Sequence, residues 1–441
     1  MIQLSDHFTY RRLLRFTFPT IVMMIFTSIY GVVDGFFVSR YVGKTSFAAV
    51  NLIMPVLMIL GCVGTMFGTG GSALVAITLG EGKKKRANEI MSMNVCVSAL
   101  SGVVLGVLGI IFMHPIAIAL KAEGQLLEDC ILYGNIILTA LPFYVLQYEF
   151  QSLFSTAEKP RLGLLVTIAA GCTNMVLDAL LVAVFKMGLF GAALATALSQ
   201  FIGGVIPLIY FFCRNGSTLR FCRFRFDLRT IWKTCSNGSS EFISNVSFSL
   251  VGMLFNFQLM RFAGENGIAA FGVLMYVSMI FQAIFIGYSV GCAPVIGYHY
   301  GARNHVELSG LLRKSLILIG ISSVLMFAVG ELLSKPFSVL FVGYDAELLD
   351  ITLNAFRIFS FSFLLSGFSI FGSSFFTALG DGLISAAVSF LRTLVFQVAA
   401  VLIFPEIWHL PGIWISVVFA EVFSVVVTAF FMIIKRKKYG Y

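Results

Sequence analysis

Long apolar runs alternate with short polar segments along the whole chain. Runs such as GLLVTIAAGCTNMVLDALLVAVF (163–185) exceed the roughly 20 residues that a membrane-spanning helix needs, and they lack the period-two alternation of a barrel strand. The pattern predicts an all-α integral membrane protein with twelve transmembrane helices. The predicted helices cover residues 15–38, 47–79, 91–113, 131–155, 162–185, 188–212, 240–262, 268–298, 311–330, 351–376, 383–404 and 412–434.

The composition narrows the class of protein. Of the 441 residues, 59% are hydrophobic and 12% are charged, whereas a soluble domain is about 25% charged. These values exclude an ordinary soluble enzyme, a disordered chain and a nucleic-acid-binding domain. The eight Cys and five His form no CxxC, HxxxH or HExxH pattern, so we expect no disulfide framework, bound metal or cofactor.

The basic residues predict the orientation of the chain. With twelve spans both termini lie on one side, and 22 of the 30 Lys and Arg residues fall on that side, including the run Lys83–Arg86. Six fall on the opposite side, and Arg357 and Arg392 fall inside spans. By the positive-inside rule, both termini are cytoplasmic. This bias also accounts for the net charge of +9 without nucleic acid.

An internal repeat relates the two halves. A shift of 221 residues, without gaps, places Arg40 on Arg261 and superimposes several glycines, among them Gly43/Gly264, Gly70/Gly291 and Gly80/Gly301. We predict an N-lobe at 1–213, a cytoplasmic linker at 214–237 and a C-lobe at 238–441, with an axis along the membrane normal. The linker is basic and carries interspersed apolar residues, so we expect it along the cytoplasmic membrane interface.

Four oxygen-bearing side chains are predicted at one depth in the N-lobe. At 1.5 Å per residue, Asp34 lies about 9 Å below the outer end of helix 1, and Asp178 and Thr196 lie about 12 Å below theirs. Asn174 precedes Asp178 by one turn on the same face. Two carboxylates close together in a low dielectric cannot both stay ionised without compensation, and a proton or a hard cation such as Na⁺ removes the conflict.

The repeat favours a functional role for this cluster over a role in helix packing alone, because the equivalent C-lobe residues are apolar: Phe255, Val395, Ala399 and Val417. The alternative is that Asp34 is an interfacial acid and that Asn174 and Asp178 bridge neighbouring helices. The sequence leaves both open.

Other charged groups have two interpretations each. Glu149 is a drug-pocket acid or an exposed edge residue, and Glu241 is a functional acid or an ordinary acid in the first turn of helix 7. Glu421 and Arg392, on successive helices, are predicted to form a buried structural pair. Arg357 pairs with an acid or extends outward to the interface.

The chain resembles the multidrug and toxic compound extrusion (MATE) family in Pro19 and in the runs VVDGFFVSRYVG (32–43) and AAVNLIMPV (48–56). The resemblance covers essentially the whole chain. It implies a V-shaped, two-lobe fold shared with the wider MOP superfamily. It also implies exchange of H⁺ or Na⁺ for organic, mostly cationic and aromatic drugs.

The resemblance also implies roles for single residues. The cation site of the family's N-lobe matches Asp34, Asn174, Asp178 and Thr196, a helix-1 tyrosine matches Tyr30, and the proline of helix-1 bending matches Pro19. Helix 7 here has an acid only at its predicted start, and helix 10 has Arg357 but no acid. These departures favour a DinF- or MepA-like branch over a NorM-like one.

We therefore predict a cation-coupled multidrug antiporter of the plasma membrane. It is expected to be a monomer, with small-molecule drugs and the lipid bilayer as partners and no enzymatic activity. One alternative is a lipid-linked oligosaccharide flippase of the same superfamily, which needs a basic cleft for pyrophosphate. An integral membrane enzyme is the other, although no catalytic spacing supports it. The sequence does not decide between H⁺ and Na⁺.

Overall fold

A computed structural model describes residues 2–213, 215–343 and 345–441, and every regular element in these ranges is helical. This confirms the predicted all-α fold. Arg214, the first residue of the predicted linker, lies outside the described residues.

The first half of the chain forms six helices. They are α1 (Tyr10–Phe37), α2 (Lys44–Gly80), α3 (Lys84–Ala119), α4 (Gly124–Thr156), α5 (Pro160–Leu177) and α6 (Gly188–Phe212). Helices α1 and α5 each continue into a short π-helical segment, Val38–Val42 and Asp178–Val184. π-Helical segments are rare and concentrate at functional sites. One of these two begins at Asp178, a member of the predicted polar cluster.

The second half contains helices of less regular length. They are α7 (Leu228–Gly301), α8 (His305–Val342), α9 (Ala346–Ser360), α10 (Phe363–Ala378), α11 (Gly382–Phe390) and α12 (Gln397–Tyr439), with a π-helical segment at Leu391–Phe396 between the last two. Helix α7 leaves helical geometry at Gly264 (φ 59°, ψ −147°) and α12 does so at His409 (φ 53°, ψ −134°). Each of these two helices therefore consists of two helices joined at a sharp break.

Two predicted spans differ in construction from the helices that the structure shows. The helix predicted to begin at 240 begins at Leu228, because the last part of the predicted linker, residues 228–237, is helical without being apolar. The helix predicted at 351–376 is the pair α9 and α10, which are bent by 49° relative to each other. Nine helical stretches of the described chain are apolar and long enough to span a bilayer, and the α9–α10 pair makes ten. The total of twelve crossings stays a prediction.

The backbone reproduces the internal repeat. Left-handed φ values, which favour glycine, occur in pairs separated by 221 residues. These pairs are Gly43 (118°) with Gly264 (59°), Gly82 (78°) with Arg303 (55°), and Gly188 (62°) with His409 (53°). Positive φ values thus recur at equivalent places in both halves, even where only one member of a pair is glycine.

The two halves meet through small residues near the ends of α2 and α7. A Cβ atom on Gly301 would lie 2.1 Å from the Ile77 carbonyl oxygen, and one on Gly80 would lie 2.0 Å from the Tyr298 carbonyl oxygen. We call this contact of Gly80 and Gly301 the glycine seam. Farther along the same face, a Cβ on Gly297 would touch its repeat equivalent, Ala76, at 3.3 Å. The seam lies at the end of the molecule that carries the predicted cytoplasmic loops.

The segment before α1 crosses from one half to the other beside this seam. The Leu4 amide donates to Glu158 Oε1 (2.7 Å) after α4, and the Phe8 amide donates to Glu307 Oε1 (2.9 Å) in α8. Leu4 and Phe8 are buried, and His7 Nδ1 lies 2.6 Å from Glu307 Oε2. Burial opposes the charged form of Glu307. The Phe8 amide, His7 and Lys314 outweigh it and lower the pKa of that carboxyl.

Candidate functional site

The predicted polar cluster comes together where α1, α5 and α6 meet. Thr196 Oγ1 lies 3.5 Å from Asp34 Oδ1, and Asn174 Nδ2 lies 3.5 Å from Thr196 Oγ1. Both distances are at the long limit for a hydrogen bond. Thr196 also lies 3.1 Å from the carbonyl oxygen of Ala192, one turn earlier in α6. The three side chains therefore face one another without being tightly bonded.

Asp178 completes the cluster as the first residue of the π-helical segment after α5. It is fully buried, and no N–H or hydroxyl donor reaches either carboxylate oxygen in the described part of the chain, although the carboxyl of Asp34 lies within hydrogen-bond reach. Its carboxylate lies within electrostatic range of Asp34. Burial of a carboxylate without donors is unfavourable unless it is neutralised. The donor set of carboxylate, amide and hydroxyl oxygens fits either a proton or a hard cation.

Tyr133 is a fifth member that the sequence interpretation missed. It lies in α4, is 1% exposed, and its hydroxyl lies near Thr196 without a hydrogen bond of ordinary geometry in the described ranges. Its ring reaches the neighbourhood of Asp34, Thr196 and Asp178. The rotation of α4 about its axis was not predictable, so nothing in the sequence distinguished this tyrosine from others in the chain.

Tyr30 links the cluster to the rest of the first half. It lies one turn before Asp34 in α1, and its ring packs against Gly171 of α5. Gln147 and Tyr148 of α4 are also within reach of its hydroxyl. Polar side chains thus continue from Asp34 into the interior of the first half.

Pro19 lies in the other half of α1, which stays helical through it from Tyr10 to Phe37. Proline has no N–H to donate to the carbonyl four residues earlier, so the helix is locally weak there. The residues around it form a close contact with the second half: Gly291 packs against Thr17, and Gly287 packs against Ile21. Helix α1 therefore carries Asp34 near one end and an interlobe contact near the other.

The two further acids have different surroundings. Glu149 of α4 is 1% exposed and accepts a hydrogen bond from Ser98 of α3, so it is not an exposed edge residue. Glu241 lies thirteen residues into α7 and not in its first turn, which corrects the prediction of an ordinary helix-start acid. It is half-buried, within electrostatic range of Cys62 in α2 and Arg392 after α11.

The predicted pair of Arg392 and Glu421 is present. Arg392 Nη2 and Nε donate to Glu421 Oε1 at 2.9 and 3.1 Å, and Glu421 is 4% exposed. Arg357, in contrast, is exposed on α9. In the described ranges no group of three or more His, Cys, Asp or Glu side chains could hold a metal ion.

A bundle of membrane-length helices with a repeated half and a buried acidic cluster is the architecture of a membrane transporter. Comparison with known proteins identifies the family. The sequence profile of the MatE family matches residues 19–180 and 242–403, so the chain belongs to this family of multidrug and toxic compound extrusion transporters. It is a transporter, not an enzyme.

Known relatives match over most of their length. The multidrug export protein MepA of Staphylococcus saprophyticus is 22% identical over 418 residues, 93% of this chain and 91% of the relative. MepA of Staphylococcus haemolyticus is 23% identical over 378 residues, 85% and 82% of the two chains. These similarities support the predicted MepA-like branch.

Solved structures agree on the fold. One is described as the outward-facing conformation of a multidrug resistance MATE family transporter of the MOP superfamily. It superposes with a TM-score of 0.93 at 22% identity, over 98% of this chain and 97% of that one. The roles of the individual site residues are not tested by these similarities and stay predictions.

Proposed function

We propose that the protein exports organic, mostly cationic and aromatic compounds in exchange for H⁺ or Na⁺. The observation that carries the proposal is the Asp178 carboxylate, buried without a hydrogen-bond donor in the described ranges and close to a second acid, Asp34. A bare negative charge in this position is strongly disfavoured. The cluster is therefore stable when it holds a cation, and its occupancy changes the balance of forces between α1 and α5.

Helix α1 is the element that would carry this change to the second half. A cation shared by Asp34 and Asp178 draws α1 towards α5. The contact of Thr17 and Ile21 with Gly291 and Gly287 moves with α1. Bending at Pro19 lets one end of α1 move without dragging the other. Cation binding and the arrangement of the two halves are then linked, and linkage makes the coupling reciprocal.

The compound is expected to bind between the halves, on the side away from the glycine seam. Glu241 is suited to a cationic substrate because it is half-buried and lies between residues of the two halves. Glu149 is sealed beneath Ser98, so it can exchange a proton but cannot contact a drug. We assign the first acid to the substrate and the second to an additional proton.

The proposal includes a plasma-membrane location with cytoplasmic termini and a monomeric working unit. The basic residues favour this orientation. In this orientation the seam closes the cytoplasmic side, so the protein as described is ready to exchange ligands with the outside.

A flippase for lipid-linked oligosaccharides is less well supported. Pyrophosphate recognition needs free positive charge in the cleft. Of the two intramembrane arginines, Arg392 is held by Glu421 and Arg357 is exposed on α9. Arg392 is therefore not free to supply that charge, which leaves Arg357 alone.

The proposal is tested by drug efflux from proteoliposomes under imposed gradients. A pH gradient and a Na⁺ gradient are applied separately to the wild type, Asp34→Asn and Asp178→Asn. Asp350→Asn serves as the matched control because this acid is exposed on α9. We expect one gradient to drive efflux in the wild type and the control, and neither to drive it in the two cluster variants. Unchanged gradient-driven efflux in both would refute the assignment.

A further inference from the structure

The connection between the halves exposes an unusual combination of side chains. Between the end of α6 and the second turn of α7, three large apolar side chains are mostly solvent-accessible: Phe226 (65%), Leu228 (71%) and Trp232 (76%). Exposed cations lie among them. We call these eight residues the linker surface; its cations are Arg220, Arg223, Arg225, Arg229 and Lys233.

The linker surface is held in place by its backbone. The Arg220 amide donates to Asn88 Oδ1 (3.1 Å), and the Cys222 amide donates to Ser92 Oγ (3.0 Å), so this stretch follows one face of α3. Leu219, just before it, is fully buried. The segment therefore has a defined conformation, and its exposed side chains are presented in a fixed arrangement.

The charge of the linker surface is uncompensated. None of the ion pairs in the described ranges includes its five cations. The one acid within the stretch, Asp227, accepts from Thr230 Oγ1 (2.6 Å) and pairs with Arg86 at 2.9 Å. Hydrogen bonds from Thr230 and Arg86 hold the pKa of this carboxyl below its usual range, so it remains engaged with them.

The start of α7 separates an inner face from an outer one. Thr230 and Thr234 are buried, and Thr234 Oγ1 donates to Asn94 Oδ1 of α3 at 3.3 Å. Leu228 and Trp232, one turn apart, form a ridge on the exposed side. Apolar ridges flanked by basic residues are typical of helices that lie in a membrane interface.

We propose that the linker surface binds the anionic phospholipid headgroups of the membrane leaflet that faces it. Its aromatic and leucine side chains enter the region between headgroups and acyl chains, and the arginines contact the phosphates, for which the guanidinium fork is well suited. The net positive charge, which no ion pair of the described residues offsets, selects an anionic lipid over a zwitterionic one. This binding is independent of whether the protein transports drugs.

Spin-labelled lipids measure this preference directly. The full-length protein is reconstituted in phosphatidylcholine vesicles with a trace of spin-labelled phosphatidylglycerol or phosphatidylcholine. The motionally restricted fraction gives the relative association of the two lipids. We expect the wild type to prefer phosphatidylglycerol, and the triple variant Arg223→Gln, Arg225→Gln and Arg229→Gln to lose most of that preference.

Two comparisons make the result specific. The matched variant replaces Arg11, Arg15 and Arg313 by Gln, because these arginines are also exposed. We expect it to keep the preference, and an equal loss in both triple variants would overturn the proposal. Trp232→Ser is expected to weaken association of phosphatidylglycerol. Loss of the preference on adding inorganic phosphate, but not on adding NaCl of the same ionic strength, would identify a site for soluble anions and would also overturn it.

Discussion

The glycine seam gives a direct way to shift the balance between the two halves. A methyl group on Gly301 would lie 2.1 Å from the Ile77 carbonyl oxygen and 3.0 Å from the Ile77 Cα. Non-bonded carbon and oxygen atoms do not approach that closely, so α2 and α7 must separate by about 1 Å to accept Gly301→Ala. In the proposed orientation, separation of these helices opens the cytoplasmic side.

The size of the expected shift between open and closed molecules follows from the cost of overpacking this contact. Overpacking of a close contact costs about 1–3 kcal/mol. The clash exists only while the seam is closed, so this energy acts on the difference between the two conformations. We therefore expect Gly301→Ala to raise the ratio of open to closed molecules by roughly 5- to 150-fold.

Distance measurements between the halves detect this change. Spin labels at Glu81→Cys and Arg303→Cys, in a background without other cysteines, report the separation across the seam, because both residues line one cavity. Gly301→Ala should increase the population at long distance. Gly80→Ala should act similarly, since its Cβ would lie 2.0 Å from the Tyr298 carbonyl oxygen.

Gly216→Ala is the matched control, because no described atom lies within 4 Å of a Cβ built there. Its distance distribution should equal that of the wild type. Distributions that are identical for Gly301→Ala, Gly80→Ala and the control would show that the seam is not closed as described.

Three further outcomes are expected. Arg392→Leu should cost about 3–5 kcal/mol, measured by thermal unfolding in detergent, because Glu421 stays buried with the Ser369 hydroxyl as a donor but without its cation. Adding Glu421→Met to that variant should restore most of the loss; equal stability of the single and the double variant would contradict a buried pair. Pro19→Ala should strongly lower drug efflux from proteoliposomes while changing the unfolding temperature little. Full efflux by this variant would argue against bending of α1. Glu307→Gln should increase hydrogen exchange at the Phe8 amide. Because the pKa of Glu307 is lowered, wild-type protection should persist below pH about 4.3, the ordinary value for Glu, and disappear only at more acidic pH.

Much of the fold was predictable because hydrophobicity dominates it. Long apolar runs identified most helices, and the 221-residue offset found turns that the backbone builds at equivalent places, such as Gly43 and Gly264. The start of α7 at Leu228 was missed because that helix begins as a polar one, packed against α3. The bend between α9 and α10 was missed because no proline or glycine marks it in the sequence.

The candidate site was predictable in part because charge is rare inside a membrane. Depth alone placed Asp34, Asp178 and Thr196 together, and the structure brings them into one cluster. The depth of a residue in the membrane does not tell which way its helix is rotated about its axis. For this reason the sequence could not place Tyr133 in the cluster. Glu149 is a similar case, because its burial against Ser98 depends on how α3 and α4 face each other.

The central claim is that cation binding at Asp34 and Asp178 opposes drug binding. It is tested most directly by the affinity of the purified protein for a fluorescent aromatic cation such as ethidium, with and without the coupling ion. In the wild type and in Asp350→Asn, acidification or Na⁺ in place of K⁺ should weaken binding by roughly 5- to 150-fold, the usual range of such coupling. In Asp178→Asn the response to Na⁺ should be lost, and the response to acid should shrink to the part that arises at Glu149 and Glu241. An equal response in that variant would contradict the account.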